Sequence, residues 1–590
     1  MKRLSLLSLL FLGSVLGEEV DTSKVYWLDE IVITAARVKR EVKDISLAVS
    51  VITKDDIESS NVNSCTDILN TLPGVFVEKT GPFGRADVDI RGLGSRGRRV
   101  MVLVDSRPVK MGLFGCTITH SLPLDNVERI EVVRGPLSLL YGSDALGGVV
   151  NIITRRPKKG FETDLLSSYG SYNTQVYRLR NGGNFNRLSY YLTLDKRSTD
   201  GHLEHSSYNG KDFTTRIGYS ILPGLELSLS GKYFDGYKEE PKRVKDTIPS
   251  DIWNDYKRGF LDLTLSGEPF FLKVYRNFGN HEFSDGWKSK DFTNGGIVHI
   301  SLRPFRNNSL LGGLEFREQG GERLSQPQGE WEKKEYGVFL HNEYNLKRII
   351  FSFGARYNRD EVSGSSLSPG AGLVLHLFEG TILRANINRG FRSPQLNELY
   401  MFPPSNPQLK PEIVTNYEAG LMQRVIDGLD IEITGYRMEG RDLIEIEKGK
   451  FENIGDFEFK GIEAGMRGEI KGFKVSLFYS YLNPQEKTKG RPGRKLDLLL
   501  NYRRGKLNLS SSLQWVGDYY AQDNHKQRIS DYLVMDGKLS YSLPFGLKPF
   551  LAINNITDED YEVYADLPSG RAGLYKMPKR SITLGMELRF

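Results

Sequence analysis

Residues 161–590 carry a period of two. In 473–481, Phe473, Val475, Leu477, Tyr479 and Tyr481 are apolar, with Lys474, Ser476 and Ser480 between them and Phe478 as the exception. In 506–515, Leu507, Leu509, Leu513 and Trp515 alternate with Lys506, Asn508, Ser510, Ser512 and Gln514. At the end, Ile582, Leu584, Met586, Leu588 and Phe590 alternate with Ser581, Thr583, Glu587 and Arg589. Successive side chains of a strand point to opposite faces, so these segments predict strands with one apolar and one polar face. Short turns such as Leu222-Pro223-Gly224, Asp427-Gly428 and Pro544-Phe545-Gly546 take turns with long polar stretches at 236–258, 318–334 and 517–531. Short connections on one side and long ones on the other predict an antiparallel transmembrane β-barrel of about 22 strands, each crossing with ~9–11 residues. A soluble sandwich or propeller would need double-sided cores or a blade repeat, and neither is visible.

Residues 18–160 read differently. Ser64-Cys65-Thr66-Asp67-Ile68-Leu69-Asn70-Thr71-Leu72 has a helical pattern ending at Pro73-Gly74, and Val100-Met101-Val102-Leu103-Val104 is a short apolar strand. This predicts a small mixed α+β domain ahead of the barrel. Met1-Lys2-Arg3 followed by an uncharged, Leu-rich run to Gly17 has the form of an export signal, too short to span a bilayer as a helix.

Composition changes the picture little. The mean hydropathy of −0.39 looks soluble, yet a barrel whose faces alternate averages to the same value. Lys+Arg 80 against Asp+Glu 74 is spread along the chain, without the basic arm that nucleic acid selects. The two cysteines, Cys65 and Cys116, fit an exported protein without a disulfide framework, and a single bridge between them stays open.

Leu122-Pro123-Leu124-Asp125-Asn126-Val127-Glu128-Arg129-Ile130-Glu131-Val132-Val133-Arg134-Gly135-Pro136 runs on through Leu140-Tyr141-Gly142-Ser143-Asp144-Ala145 to Gly147-Gly148-Val149-Val150-Asn151-Ile152-Ile153-Thr154. With Asp89-Ile90-Arg91-Gly92 and Leu72-Pro73-Gly74-Val75, it resembles, in order and spacing, the plug signature of TonB-dependent outer-membrane receptors. Arg389-Gly390-Phe391-Arg392-Ser393-Pro394, Asn406-Pro407-Gln408-Leu409-Lys410-Pro411-Glu412, Asn416-Tyr417-Glu418, Gly461-Ile462-Glu463 and Asn554-Asn555-Ile556-Thr557-Asp558 resemble barrel motifs of the same family. Pro578-Lys579-Arg580 departs from a frequent Pro-Gly-Arg. The resemblance implies a signal peptide at 1–17, an N-terminal segment at 18–40, a plug at 41–160 and a barrel at 161–590. Glu30, Ile31, Val32, Ile33, Thr34 and Ala35 are similar to the TonB box, a strand that would add to the sheet edge of TonB, the partner that delivers inner-membrane energy.

Parity then suggests what holds a plug in a polar lumen. Tyr417, Ala419 and Leu421 share the apolar face, which turns Glu418 inward, and Ile462, Ala464 and Met466 do the same for Glu463. Arg91 and Arg134 lie in the plug motifs that resemble the family's plug arginines, so the four are expected to form a plug–barrel latch, against the plainer reading of separately solvated charges. Phe83 and Arg85 in one glycine-rich plug loop, Phe114 in another, and Tyr519 and Tyr520 in an outer loop are candidates for ligand contact. Plain turns fit the same glycines.

No catalytic pattern is present, which points away from an enzyme and implies no cofactor; Met111, Cys116 and His120 share a loop without a metal-site motif. The expectation is a monomeric receptor for active uptake of a bulky scarce nutrient, a ferric siderophore first and cobalamin second, surrounded by outer-membrane lipid and lipopolysaccharide. A passive porin would lack the plug and the TonB box. A surface adhesin would add a long outer domain.

Overall fold

The computed structural model describes residues 32–33, 37 and 40–590, apart from 95, 123, 125, 158, 249–250, 402–403, 448 and 568–569. The expected signal peptide lies outside the described residues. So do Glu30, Ile31, Thr34 and Ala35 of the TonB-box segment. Val32–Ile33 forms a short strand antiparallel to Arg40–Glu41.

Twenty-two antiparallel strands from Gly160–Gly170 to Ser581–Arg589 form one closed barrel. Closure comes from the first strand pairing with the last, Asp164 opposite Arg589 through Gly170 opposite Thr583. Phe590 adds two backbone hydrogen bonds to Thr163, at 2.8 and 3.0 Å. No edge is left to solvent, which is what allows a sheet to sit in hydrocarbon. The alternation fixes the faces: Leu261, Leu263 and Val274 point out, while Asp262, Thr264 and Lys273 are buried inward.

Individual strands are longer than membrane crossing requires, reaching 18 residues in Gly329–Leu346. Two of the expected long loops shrink accordingly. Residues 236–240 and 252–258 continue the strands Leu225–Glu240 and Ile252–Gly267, and Asn308–Arg323 likewise extends into the stretch expected as loop. Above the lipid both faces are polar, so the hairpin continues while its hydropathy signature disappears.

The preceding domain lies inside the barrel. Its five-stranded sheet has the order Ala48–Thr53, Val127–Arg134, Gly148–Thr154, Val100–Val104, Arg107–Pro108, with the third and fourth strands parallel. Two short helices, Lys54–Ser59 and Cys65–Leu69, begin in capping boxes, Thr53 with Asp56 and Ser64 with Asp67, each satisfying backbone donors that the first turn leaves free. Ile57, Ile68, Leu69, Leu72, Val102, Ile130, Val132 and Val150 close the domain's own core. A second apolar cluster joins Val49, Leu139, Leu140 and Tyr141 to the barrel residues Leu311, Phe339, Ile350, Val374, Ile382 and Met422.

Candidate functional site

The strand Ala86–Ile90 ends at Arg91, whose φ of +55° is a left-handed conformation that a side-chain-bearing residue adopts at a cost. Its N–H donates to the Gly74 carbonyl at 2.8 Å, which holds the turn and aims the guanidinium at the wall. There Arg91 Nε and Nη2 donate to the two oxygens of Glu463 at 2.8 and 2.9 Å, and Nη1 donates to Glu418 at 2.6 Å. Arg134 Nε donates to Glu463 at 2.9 Å and its Nη1 to Ser50 Oγ at 2.5 Å. Glu418 also accepts from the Ala48 N–H and from Asn386, both at 3.0 Å. The structure thus brings together Arg91, Arg134, Glu418 and Glu463, every one of them buried. Burial alone would lower the Arg91 pKa, but Glu463 and Glu418 raise it above its ordinary value, so it stays charged. Gly74 has to be glycine: a Cβ there would stand 2.1 Å from Glu463 Oε1.

Two further charge networks escaped the sequence reading. Arg99 and Arg392 each make a paired contact with Glu412, at 2.7–2.9 Å, and Arg392 and Arg98 both donate to Glu398, at 2.9 and 3.0 Å. Glu412 has the inward parity of Glu418, a signal that was available; Glu398 lies in the non-periodic connection 393–411 and gave none. The other network is centred on Glu315, which pairs with Arg37, Arg356 and Arg317 at 3.1, 3.0 and 3.2 Å. Arg317 also approaches Asp144 of the plug at 3.6 Å, and Asp144 pairs with Lys110. Burial, opposed by Asp144, lowers Lys110 to about 8.

The candidate ligand residues are spread over separate places. Phe83 is buried and stacks on Tyr208 with ring centroids 5.1 Å apart, while half-buried Arg85 pairs with Asp87 at 2.8 Å. Phe114 packs against Phe283 and Trp287. Tyr519 is fully buried against Phe76, and Tyr520 meets His525 edge-on. Phe83 and Tyr519 are therefore packing residues in this state rather than open contact points. An aromatic ring in a polar loop is buried wherever a neighbouring loop offers it an apolar surface.

Cys65 and Cys116 are both buried and unpaired, so the open disulfide does not form. Burial pushes the Cys65 thiol up to about 12. Cys116 Sγ donates to Met111 Sδ at 3.7 Å, and His120 stands instead among Tyr208, Phe234 and Tyr256. Among the described residues no group of three or more His, Cys, Asp or Glu could hold a metal ion. On the outer side of the plug, burial raises Glu78 well above the carboxylate range, and raises Asp89 to about 6 against the pull of Arg491.

Comparison with known proteins is consistent along the whole chain. A family model for the β-barrel of TonB-dependent receptor-like proteins matches residues 137–556, and one for the TonB-dependent receptor plug domain matches residues 41–149. The vitamin B12 transporter BtuB of Photobacterium profundum is 26% identical over 570 residues, covering 90% of this chain and 92% of the relative. The iron-regulated outer membrane virulence protein of Vibrio cholerae is 25% identical over 649 residues, covering 96% of each. Among solved structures, the siderophore receptor PirA from Acinetobacter baumannii superposes with a TM-score of 0.78 at 17% identity, covering 93% of this chain and 99% of that one. A ferric enterobactin receptor (PfeA) mutant from Pseudomonas aeruginosa, in complex with enterobactin, superposes at 0.77 and 20% identity, covering 93% and 100%.

Proposed function

Because the chain belongs to the TonB-dependent receptor family, we propose that it takes up a ferric siderophore across the outer membrane, with the work supplied through TonB at residues 30–35. The observation that carries active transport is the latched plug. A domain held by buried ion pairs to the wall of a closed barrel leaves a bulky ligand no free path, so passage requires force on the plug. A passive porin has no use for such a domain.

The siderophore assignment is supported by the fold neighbours, which include receptors for iron chelates. Arginines at the plug's outer turns, Arg85 and Arg96, are half-buried and each paired with one carboxylate, Asp87 and Asp566, and an anionic chelate could take over these pairings. Cobalamin is the second reading, favoured by the BtuB relative at 26% identity. In outer membranes from cells producing the protein, retention of ⁵⁵Fe-loaded catecholate, hydroxamate and carboxylate siderophores is measured beside ⁵⁷Co-cyanocobalamin, and accumulation is repeated in cells lacking TonB. One siderophore should be retained, and its accumulation should vanish without TonB. Retention of cyanocobalamin alone would reverse the assignment.

A further inference from the structure

The plug is held very differently by the two halves of the barrel. Toward the strands from Asn308–Arg323 to Glu412–Ile426 it presents the apolar surface of Leu139, Leu140 and Tyr141, packed directly on Leu311, Phe339 and Ile350. Toward the strands from Phe457–Ile470 to Leu547–Asn554, Leu93 clusters with Phe457 and Phe459, and Phe76 with Val516 and Tyr532, but beside the helices Lys54–Ser59 and Cys65–Leu69 there is a cavity of about 1560 Å³. Across it run polar contacts: Lys474 to Asp56 at 2.5 Å, Asn61 to Asn554 at 2.9 Å, Asn70 with Gln514 twice at 3.1 Å, Lys538 to the Glu58 carbonyl at 2.9 Å, Lys495 to the Leu72 carbonyl at 3.1 Å, and Ser510 to the Ser59 carbonyl. Hydrogen bonds of this kind exchange with water at little cost, whereas stripping the apolar face exposes surface that water does not welcome.

The cavity runs the length of the lumen. Its lining includes Gly428, Gly472 and Gly505 in the short turns of one end, and Gly81, His202 and Pro241 at the long-loop end. At that outer end its lining includes the loop 81–84, which faces His202. The loop 81–84 is closed on itself by the Thr80 N–H donating to the Arg85 carbonyl at 3.0 Å, and a Cβ on Gly81 would lie 3.1 Å from His202 Cε1. His202 is held from behind by its Nε2 on the Lys576 carbonyl at 2.8 Å, while its Nδ1 is buried without a hydrogen-bond partner.

We propose that the passage through this protein runs in this gap, between the plug helices Lys54–Ser59 and Cys65–Leu69 and the wall from Phe457–Ile470 to Leu547–Asn554, with loop 81–84 and His202 as its outer gate. The plug stays packed on the opposite wall while the ligand passes. The latch sits at the border of the two regions: Glu418 belongs to the pinned wall and Glu463 to the first strand of the gap. Release of Glu463 with retention of Glu418 therefore widens the gap and leaves the plug attached. The proposal rests on the transport reading above, but its test needs no ligand.

The test uses purified full-length protein with Cys65→Ser and Cys116→Ser, inserted in planar bilayers bathed in 1 M potassium chloride. The parent should be silent, and His202→Ala or deletion of residues 81–84 should each give discrete conductance steps. With Ser512→Cys added, in the lining of the gap, a positively charged methanethiosulfonate reagent should cut that conductance by at least about half; with Ser368→Cys, buried on the opposite wall, it should not. Heat-modifiable mobility confirms that each variant is folded, and the histidine change covers the case in which the deletion does not fold. Silence of both gate variants, or block through Ser368→Cys rather than Ser512→Cys, would overturn the proposal. A conducting gap with no TonB-dependent uptake would instead count against the transport reading alone.

Discussion

Replacing Glu463 by alanine removes one carboxylate that accepts three hydrogen bonds, from Arg91 Nε and Nη2 and from Arg134 Nε. Arg91 keeps Glu418 and Arg134 keeps Ser50, so both guanidiniums stay buried with part of their compensation gone. Taking one partner from a buried ion pair costs about 3–5 kcal/mol. The barrel ladder is untouched, so the cost falls on local opening of the plug rather than on the whole fold. At ~1.4 kcal/mol per factor of ten, the opening equilibrium rises by roughly two to three and a half orders of magnitude. Hydrogen exchange of detergent-solubilised protein, read by mass spectrometry, should show this acceleration in Val75–Lys79, Ala86–Ile90 and Val127–Arg134, with barrel strands unchanged. Arg134→Ala should do the same to a smaller degree, and the double variant should cost less than the sum because the two share a partner. Plug exchange within about threefold of wild type, or strict additivity, would show that these charges do not act as a latch.

Gly74→Ala should destabilise the plug, since its φ of +67° is unfavourable for alanine and its Cβ would collide with Glu463; the collision part should disappear in the Glu463→Ala background, as measured by the same exchange. Asp89 is neutral more readily in the folded plug, at about 6, than in the unfolded chain, so its contribution falls as pH rises from 3.8 to 6 and then levels off, by up to about 3 kcal/mol. Asp89→Asn should remove that slope from the pH dependence of plug exchange; an unchanged slope would assign it elsewhere. Ile33→Pro should abolish TonB-dependent accumulation while ligand retention by membranes persists, because proline blocks strand addition, and normal accumulation would remove residues 30–35 from the coupling. Deleting Phe590 should lower the folded fraction in heat-modifiable gels, since it removes two seam hydrogen bonds and an exposed aromatic, whereas Phe545→Ala in its short turn should matter much less.

How far the residues disclose the structure depends on how many solvents they face. The barrel was legible because each strand separates lipid from a polar lumen, and Leu507 to Trp515 show it plainly. The same alternation located Glu418 and Glu463, since their neighbours had to point outward. Strand length was not legible. Beyond the lipid, Asp255 and Lys257 alternate with Asn254, Tyr256 and Arg258, so both faces carry polar groups and a hairpin there looks like a loop. The ligand site was the least legible part. Whether Phe83 is open or buried depends on Tyr208, 125 positions further along the chain (208 − 83), and no local pattern reports that meeting.

On the transport reading proposed above, the chemistry of the Arg91, Arg134, Glu418 and Glu463 cluster would let a plug be both secure and removable. An apolar plug in a polar lumen would leave the lumen charges without partners, so the interface has to be met with charge: Arg91, Arg99 and Arg134 from the plug against Glu463, Glu412 and Glu418 from the wall. Buried pairs of this type add little net stability once desolvation is counted, yet the loss of a single member is expensive. Thermal fluctuations that break one contact are therefore strongly opposed, because they leave a bare charge behind. A pull that brings water in as it separates the partners rehydrates both sides together, and the cost of each step is offset by solvation. The proposed gap, whose lining includes Arg467 on the strand that carries Glu463, would admit that water near the latch. On the pinned wall, where Leu139 meets Gly354 and Gly370, no such compensation exists, and the plug there resists displacement through its whole contact area.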